Sequence, residues 1–102
     1  SILFTGCVVN QQTHTPPIGK KVFQQEDKLI VEALFYSDKN ISKSIKIFDN
    51  LYQKSKKPIY LKEQIIYSFS TNEYNQTLNL IDKFIKNYPK QKEEVIKYKA
   101  FI

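Results

Sequence analysis

From Gln24 onward, apolar and polar residues follow one another with the 3.6-residue period of helices. Leu29, Ala33 and Tyr36 share one face of a first predicted helix, and Ile30 and Leu34 widen that stripe. Ser37-Asp38-Lys39-Asn40 then interrupts the pattern with turn formers. Ile41 to about Ser55 predicts a second helix. Its residues Ile41, Ser44, Ile45, Phe48, Leu51 and Tyr52 fall on one stripe, and Asn40 is placed to cap it. Pro58 opens a third helix, where its missing N–H does no harm, and Leu61, Ile65, Ile66 and Phe69 form its apolar side. After the turn Ser70-Thr71-Asn72-Glu73, Tyr74 to about Asn87 predicts a fourth helix, which Tyr88-Pro89 ends. Gln91 to Ile102 predicts a fifth, with Val95, Ile96, Lys99 and Ala100 in register and Glu93-Glu94 favouring its start.

The second and fourth helices carry one pattern twice. Ile41, Ser44, Ile45, Ile47, Phe48, Leu51 and Tyr52 recur 33 positions later as Tyr74, Thr77, Leu78, Leu80, Ile81, Phe84 and Ile85. A single helix pair cannot bury its own apolar face, so a repeat of this period implies stacked pairs and a surface that binds rather than reacts. The expected fold is all-α, with antiparallel helix pairs stacked as a short α-solenoid behind an extended N-terminal tether. The repeats would run from about 25 to 57 and from 58 to 91, with a third begun at 92. A plain four- or five-helix bundle is the competing reading.

The repeat resembles the tetratricopeptide repeat (TPR), a 34-residue helix–turn–helix unit. Tyr74 matches the aromatic position that opens the family's second helix, and Thr77 the small residue at the helix crossing. Ile81 and Phe84 match the next core positions, and Pro89 the terminal proline. Ile41, Ser44, Phe48 and Leu51 match in the first copy, with the proline displaced to Pro58. The first helices depart from the family, because Glu32 and Ile65 stand where it has a small residue. A divergent α–α superhelix of another class shares these features. The resemblance implies a concave groove lined by the first helix of each pair: Leu29, Ala33 and Tyr36, then Ile59, Lys62, Ile66 and Phe69. Such a groove suits an extended or helical peptide.

The start of the chain carries a different signal. Phe4-Thr5-Gly6-Cys7 resembles a bacterial lipobox, whose apolar run and small residues precede a Cys that is freed by cleavage and acylated. The resemblance implies that residues 1–6 end a signal peptide, that Cys7 carries lipid, and that 7–23 form the tether of a domain at 24–102. Val8 after the Cys implies the outer membrane, facing the periplasm, in a Gram-negative cell. Asn10 to Gly19 is polar and shows no helical or strand period, and Pro16-Pro17 stiffens it, as a spacer requires. The alternative for Cys7 is an incidental thiol in a short strand, Ile2 to Val9.

Charge and composition narrow the function. All 16 basic residues are Lys, against 10 acidic ones, for a net charge of +6. Arg supplies the forked contacts to phosphates and guanine, so its absence argues against specific nucleic-acid recognition. A solvated Lys face is the plain reading, and lipid headgroups or an acidic protein are the anionic partners to weigh. His14, the one His, stands in the tether without neighbouring ligands. No Gly-rich phosphate loop or Cys/His pair points to an enzyme, a cofactor or a metal, and most of the acidic residues fall where solvated faces belong. The expected function is a non-enzymatic adaptor or scaffold lipoprotein in a membrane-associated assembly, of the outer-membrane biogenesis, pilus, secretion or flagellar-motor type. Its partners would be proteins of that assembly and the bilayer. A soluble cytoplasmic adaptor and a Lys-rich binder of polyanions are the alternatives.

Overall fold

A computed structural model of the chain describes residues 19–102. The lipobox-like motif at Cys7, His14 and the polar spacer up to residue 18 lie outside the described residues. The described chain is helical throughout its ordered elements, in the order α1 (Glu26–Tyr36), α2 (Ile41–Ser55), α3 (Pro58–Ser70) and α4 (Tyr74–Asn87). A 3₁₀ turn (Pro89–Gln91), a one-turn α5 (Glu93–Ile96) and a 3₁₀ segment (Lys97–Phe101) follow, and no strand occurs among the described residues. Consecutive helices pack on one another, α1 on α2, α2 on α3, α3 on α4 and α4 on α5.

Local chemistry sets the helix ends. Lys43 N–H donates to Asn40 Oδ1 at 3.2 Å, so Asn40 caps α2 as its sequence position predicts. α2 stops at Lys56, which turns left-handed with φ 58° and donates its N–H to the Tyr52 carbonyl at 2.7 Å. That conformation costs a residue with a Cβ about 1 kcal/mol. It lets the chain double back through Lys57 alone into Pro58 at the first turn of α3. Asn72, with φ 65°, reverses the chain between α3 and α4 in the same way.

The repeated positions meet equivalent environments. Ser44 and Thr77, Phe48 and Ile81, and Leu51 and Phe84 are buried in both copies. Ile45 and Tyr52 are buried, and their counterparts Leu78 and Ile85 are half-buried. Each fully buried large side chain here contributes about 1.5–3 kcal/mol relative to exposure, so the second helices anchor the core. Small residues let the helices of each pair approach. At the α1–α2 crossing, Ser44 Oγ donates to the Ala33 carbonyl at 2.7 Å, and both residues are buried. At the α3–α4 crossing, Ser68 and Thr77 hydroxyls meet at 2.8 Å, both buried. Thr77 also reaches the Glu73 carbonyl and Ser68 the Ile65 carbonyl, so neither hydroxyl is stranded.

Three expectations need correction. Leu34 is exposed rather than part of the buried stripe of α1, which runs instead through Ala33, with Leu29, Ile30 and Tyr36 half-buried. The final helix is not continuous. After Ile96 the chain tightens to 3₁₀, whose period of three aligns Tyr98 and Phe101 on one side, both against Phe69 of α3. Residues 20–23, assigned above to the tether, are fastened to the helices. Phe23 packs on the core, Val22 N–H donates to Glu26 and the Lys20 carbonyl accepts from Lys57.

Ala33 has no exposed surface and sits where two backbones cross. Ala33→Leu is therefore expected to lower the unfolding free energy by about 1–3 kcal/mol through overpacking. The measure is a lower urea midpoint at unchanged slope, and an unchanged midpoint would show that the crossing has room to spare.

Candidate functional site

Glu26 is the least expected side chain in the molecule. It lies in the first turn of α1 and is only 1% exposed. Its carboxylate accepts from Val22 N–H at 2.6 Å, from Lys57 Nζ at 2.7 Å and from the Tyr60 hydroxyl. Lys57 Nζ also donates to the Lys20 carbonyl at 2.6 Å. Burial alone pushes a carboxyl toward neutrality. Here the donors from Lys57, Tyr60 and Val22 outweigh it and hold Glu26 below its ordinary 4.5. The same contact and burial raise the Tyr60 phenol well above its ordinary value. The arrangement joins α1, α3 and the incoming N-terminal segment at one end of the helices. A signal for it stood in the sequence: Glu26 shares the helical face of Ile30 and Ala33, so it sits in the apolar stripe and not on a solvated face.

A second polar group closes the same end. Asn87 Nδ2 donates to Tyr52 Oη at 3.1 Å. Tyr88 Oη lies 3.2 Å from Tyr52 Oη and donates to the Lys56 carbonyl at 2.6 Å. Burial, with Tyr52 beside it, raises the Tyr88 phenol. These bonds tie the end of α2 to the end of α4.

The predicted groove residues divide into four environments. Leu29 and Ile59 are half-buried and pack on the core. Tyr36 and Ile66 are half-buried, and Lys43 Nζ stands 4.1 Å above the Tyr36 ring. Lys62 and Phe69 face the C-terminal segment. Lys62 Nζ pairs with Glu94 at 2.9 Å, and Phe69 packs on Tyr98 with ring centroids 5.2 Å apart. Ala33 lies at the helix crossing without exposed surface, so it shapes the packing of α1 and offers a ligand nothing.

Two apolar surfaces that the sequence reading missed are open to solvent. On α1, Val31, Leu34 and Phe35 are exposed, Phe35 by 54%. A helix apolar on most sides does not reveal its buried face by period, which is why Leu34 was misplaced. The other surface surrounds Phe69, whose ring also meets Tyr74 and Phe101 at 6.1 and 6.4 Å. Phe101 is 74% exposed, and Tyr74 and Ile102 are also exposed. The spacing of Val95, Tyr98 and Phe101 by threes was the available signal. A shallow depression between Ser42, Ile45, Lys46, Glu73 and Gln76 holds about 180 Å³. That is below the roughly 300 Å³ at which small-molecule sites begin. Among the described residues no cluster of His, Cys, Asp and Glu is gathered around a metal position, and no helix is long and apolar enough to cross a membrane. Comparison of the chain with known protein families, with curated proteins and with solved structures finds no match.

The Glu26 contacts carry a pH signature. A carboxyl held below 4.5 in the folded state contributes stability that is complete above 4.5 and is lost as the pH falls through its folded value. Glu26→Gln is expected to cost about 2–3 kcal/mol at neutral pH, the range for hydrogen bonds to a charged group. The gap between the two proteins should narrow on acidification below 4.5, followed by denaturant unfolding at several pH values. A gap constant across that range would remove the carboxylate from the explanation.

Proposed function

We propose that this chain is a non-enzymatic adaptor: a short tetratricopeptide-like α-solenoid, held at a membrane by a lipid on Cys7, that binds protein segments within a membrane-associated assembly. The observation that carries the reading is the repeated helix pair. Positions 33 apart in α2 and α4 share burial or differ by one step, and each pair closes over small buried residues, Ala33 with Ser44 and Ser68 with Thr77. Helix pairs that stack this way leave their first helices with surface to spare. Here that surface includes half-buried Tyr36, Ile66 and Phe69 and the exposed side chains of α1. Aromatic rings held partly open in this way are the anchors that recognition of a peptide or helix uses. The fastening of residues 20–23 shortens the proposed tether to the chain before them, and the domain begins at about residue 20.

The binding reading is tested by substitution of one ring on α1 and one on α3. Phe69→Ala and Tyr36→Ala are expected to keep the helical circular-dichroism spectrum and to lose about tenfold or more in partner capture from native membranes. That loss is the size expected of interface anchors. Unfolding of both variants would return these rings to the core and remove the groove. The anchor is tested separately by mass spectrometry of native protein, where cleavage before Cys7 with acyl mass on its thiol is the expected result. An intact chain with a free thiol would overturn the lipid attachment and favour a soluble adaptor.

A further inference from the structure

We propose that the end of the domain at which the N-terminal segment enters is a basic pole that docks on anionic lipid headgroups, so that the helices stand on the bilayer with a fixed end down. The proposal rests on the membrane reading above, which supplies the bilayer. Measured contacts gather the pole. Lys57 joins the Lys20 carbonyl to Glu26 at the starts of α1 and α3. Lys54 Nζ stands 5.4 Å over the Phe23 ring, and Lys56 and Lys83 stand 5.2 and 5.1 Å from the Tyr52 ring. The Tyr88 hydroxyl holds the Lys56 carbonyl, which sets the stretch of chain around Tyr88, where the sequence carries Lys86 and Lys90, beside the end of α2.

The acids nearby do not cancel this charge. Glu26 is buried and matched by Lys57, and Asp27 pairs loosely with Lys21 at 3.9 Å. Lys92 and Glu93 offset one another in sequence. Lys20, Lys54, Lys56, Lys83, Lys86 and Lys90 have no carboxylate partner among the described residues, and residues 1–18 contain no Asp or Glu. The opposite end is mixed. Asp38 lies 3.6 Å from Lys39, and Glu73 stands at the start of α4 near Lys46.

Lipid suits this pole better than nucleic acid does. The cations are all ammonium groups, which act as point charges and lack the fork that clamps phosphates in a groove. They ring one end of the helices rather than line a channel, and exposed Val22 offers an apolar side chain at the same end. Residues 8–18 span at most roughly 40 Å of chain, well beyond the screening length of about 8 Å at physiological salt. The lysines therefore act only when the domain settles on the surface, and their placement selects which end settles.

The test uses the full chain with Cys7→Ser, which carries no lipid, and phosphatidylcholine vesicles with and without phosphatidylglycerol. Co-sedimentation is expected with the anionic vesicles alone and is expected to weaken with added salt. Lys54→Gln/Lys56→Gln/Lys86→Gln should weaken it about a hundredfold, since each lysine near an anionic surface contributes roughly fivefold. Lys39→Gln/Lys43→Gln/Lys46→Gln removes the same charge from the other half and should change binding by less than about twofold, because those groups lie beyond the screening length. Equal losses in the two triple variants would overturn the pole, as would binding indifferent to phosphatidylglycerol. Tighter binding to duplex DNA than to the anionic vesicles at the same salt would overturn the lipid assignment. Because the protein tested has no thiol at position 7, none of these outcomes depends on whether native Cys7 is acylated, so the anchor and the pole fail separately.

Discussion

The Glu26 carboxylate belongs to α1, and two of its donors, Lys57 and Tyr60, belong to the start of α3. This contact crosses from the first helix pair to the second, as do the packing of α2 on α3 and the bonds of Tyr52 with Asn87 and Tyr88 at the same end. A buried carboxylate is expensive to desolvate, and it is tolerated only when its lone pairs are filled by donors of good geometry. The requirement fixes three things at once. α1 must begin at Glu26, α3 must begin close enough for Lys57 to reach back, and Val22 must present its N–H to the carboxylate. The left-handed Lys56 meets the second requirement, because it reverses the chain within two residues of the end of α2.

Relative to that constraint, the helix pairs are stacked by volume. Ala33 beside Ser44, and Ser68 beside Thr77, keep each crossing narrow. The hydroxyls are not decoration at these positions. Each one satisfies a carbonyl or another hydroxyl in a place where an alkyl group of the same size would leave a polar atom dry. The first crossing uses a hydroxyl against a backbone carbonyl and the second a hydroxyl against a hydroxyl. The two pairs are therefore alike in spacing without being alike in detail.

The second helix of each pair was legible from sequence because its apolar stripe is narrow and its other side is polar, so period alone separates inside from outside. Asn40 and Pro58 marked helix starts for equally local reasons. α1 was legible as a helix but not in its orientation. Leu29, Ile30, Val31, Leu34 and Phe35 cover most of its circumference, and the residue that fixes its rotation is Glu26, whose partners lie about thirty positions away. The C-terminal segment failed for a related reason. Its rotation is chosen by Phe69, a long-range neighbour, and the 3₁₀ period follows from that contact rather than from local preference. The candidate groove inherits the same limit: Ile59 packs on the core, Lys62 and Phe69 meet the C-terminal segment, and Ala33 belongs to a crossing that no spacing rule distinguishes from a surface.

The two ends of the helices differ in kind. Where the N-terminal segment enters, the backbone ends are tied by Glu26 with its donors and by Tyr52, Asn87 and Tyr88, and the outer shell is lysine. At the other end stand Leu34 and Phe35 of α1 and the Phe69, Tyr74 and Phe101 rings, with charges of both signs and more exposed carbon. An end closed by hydrogen bonds resists shear, and an end built from partly exposed rings can trade contacts with water for contacts with another apolar surface at little cost in order. If both ends were alike, nothing on the domain's own surface would favour one orientation toward a partner over another. A basic end closed by hydrogen bonds and an opposite end rich in exposed carbon give the helices a direction, so a partner that meets one end leaves the other free.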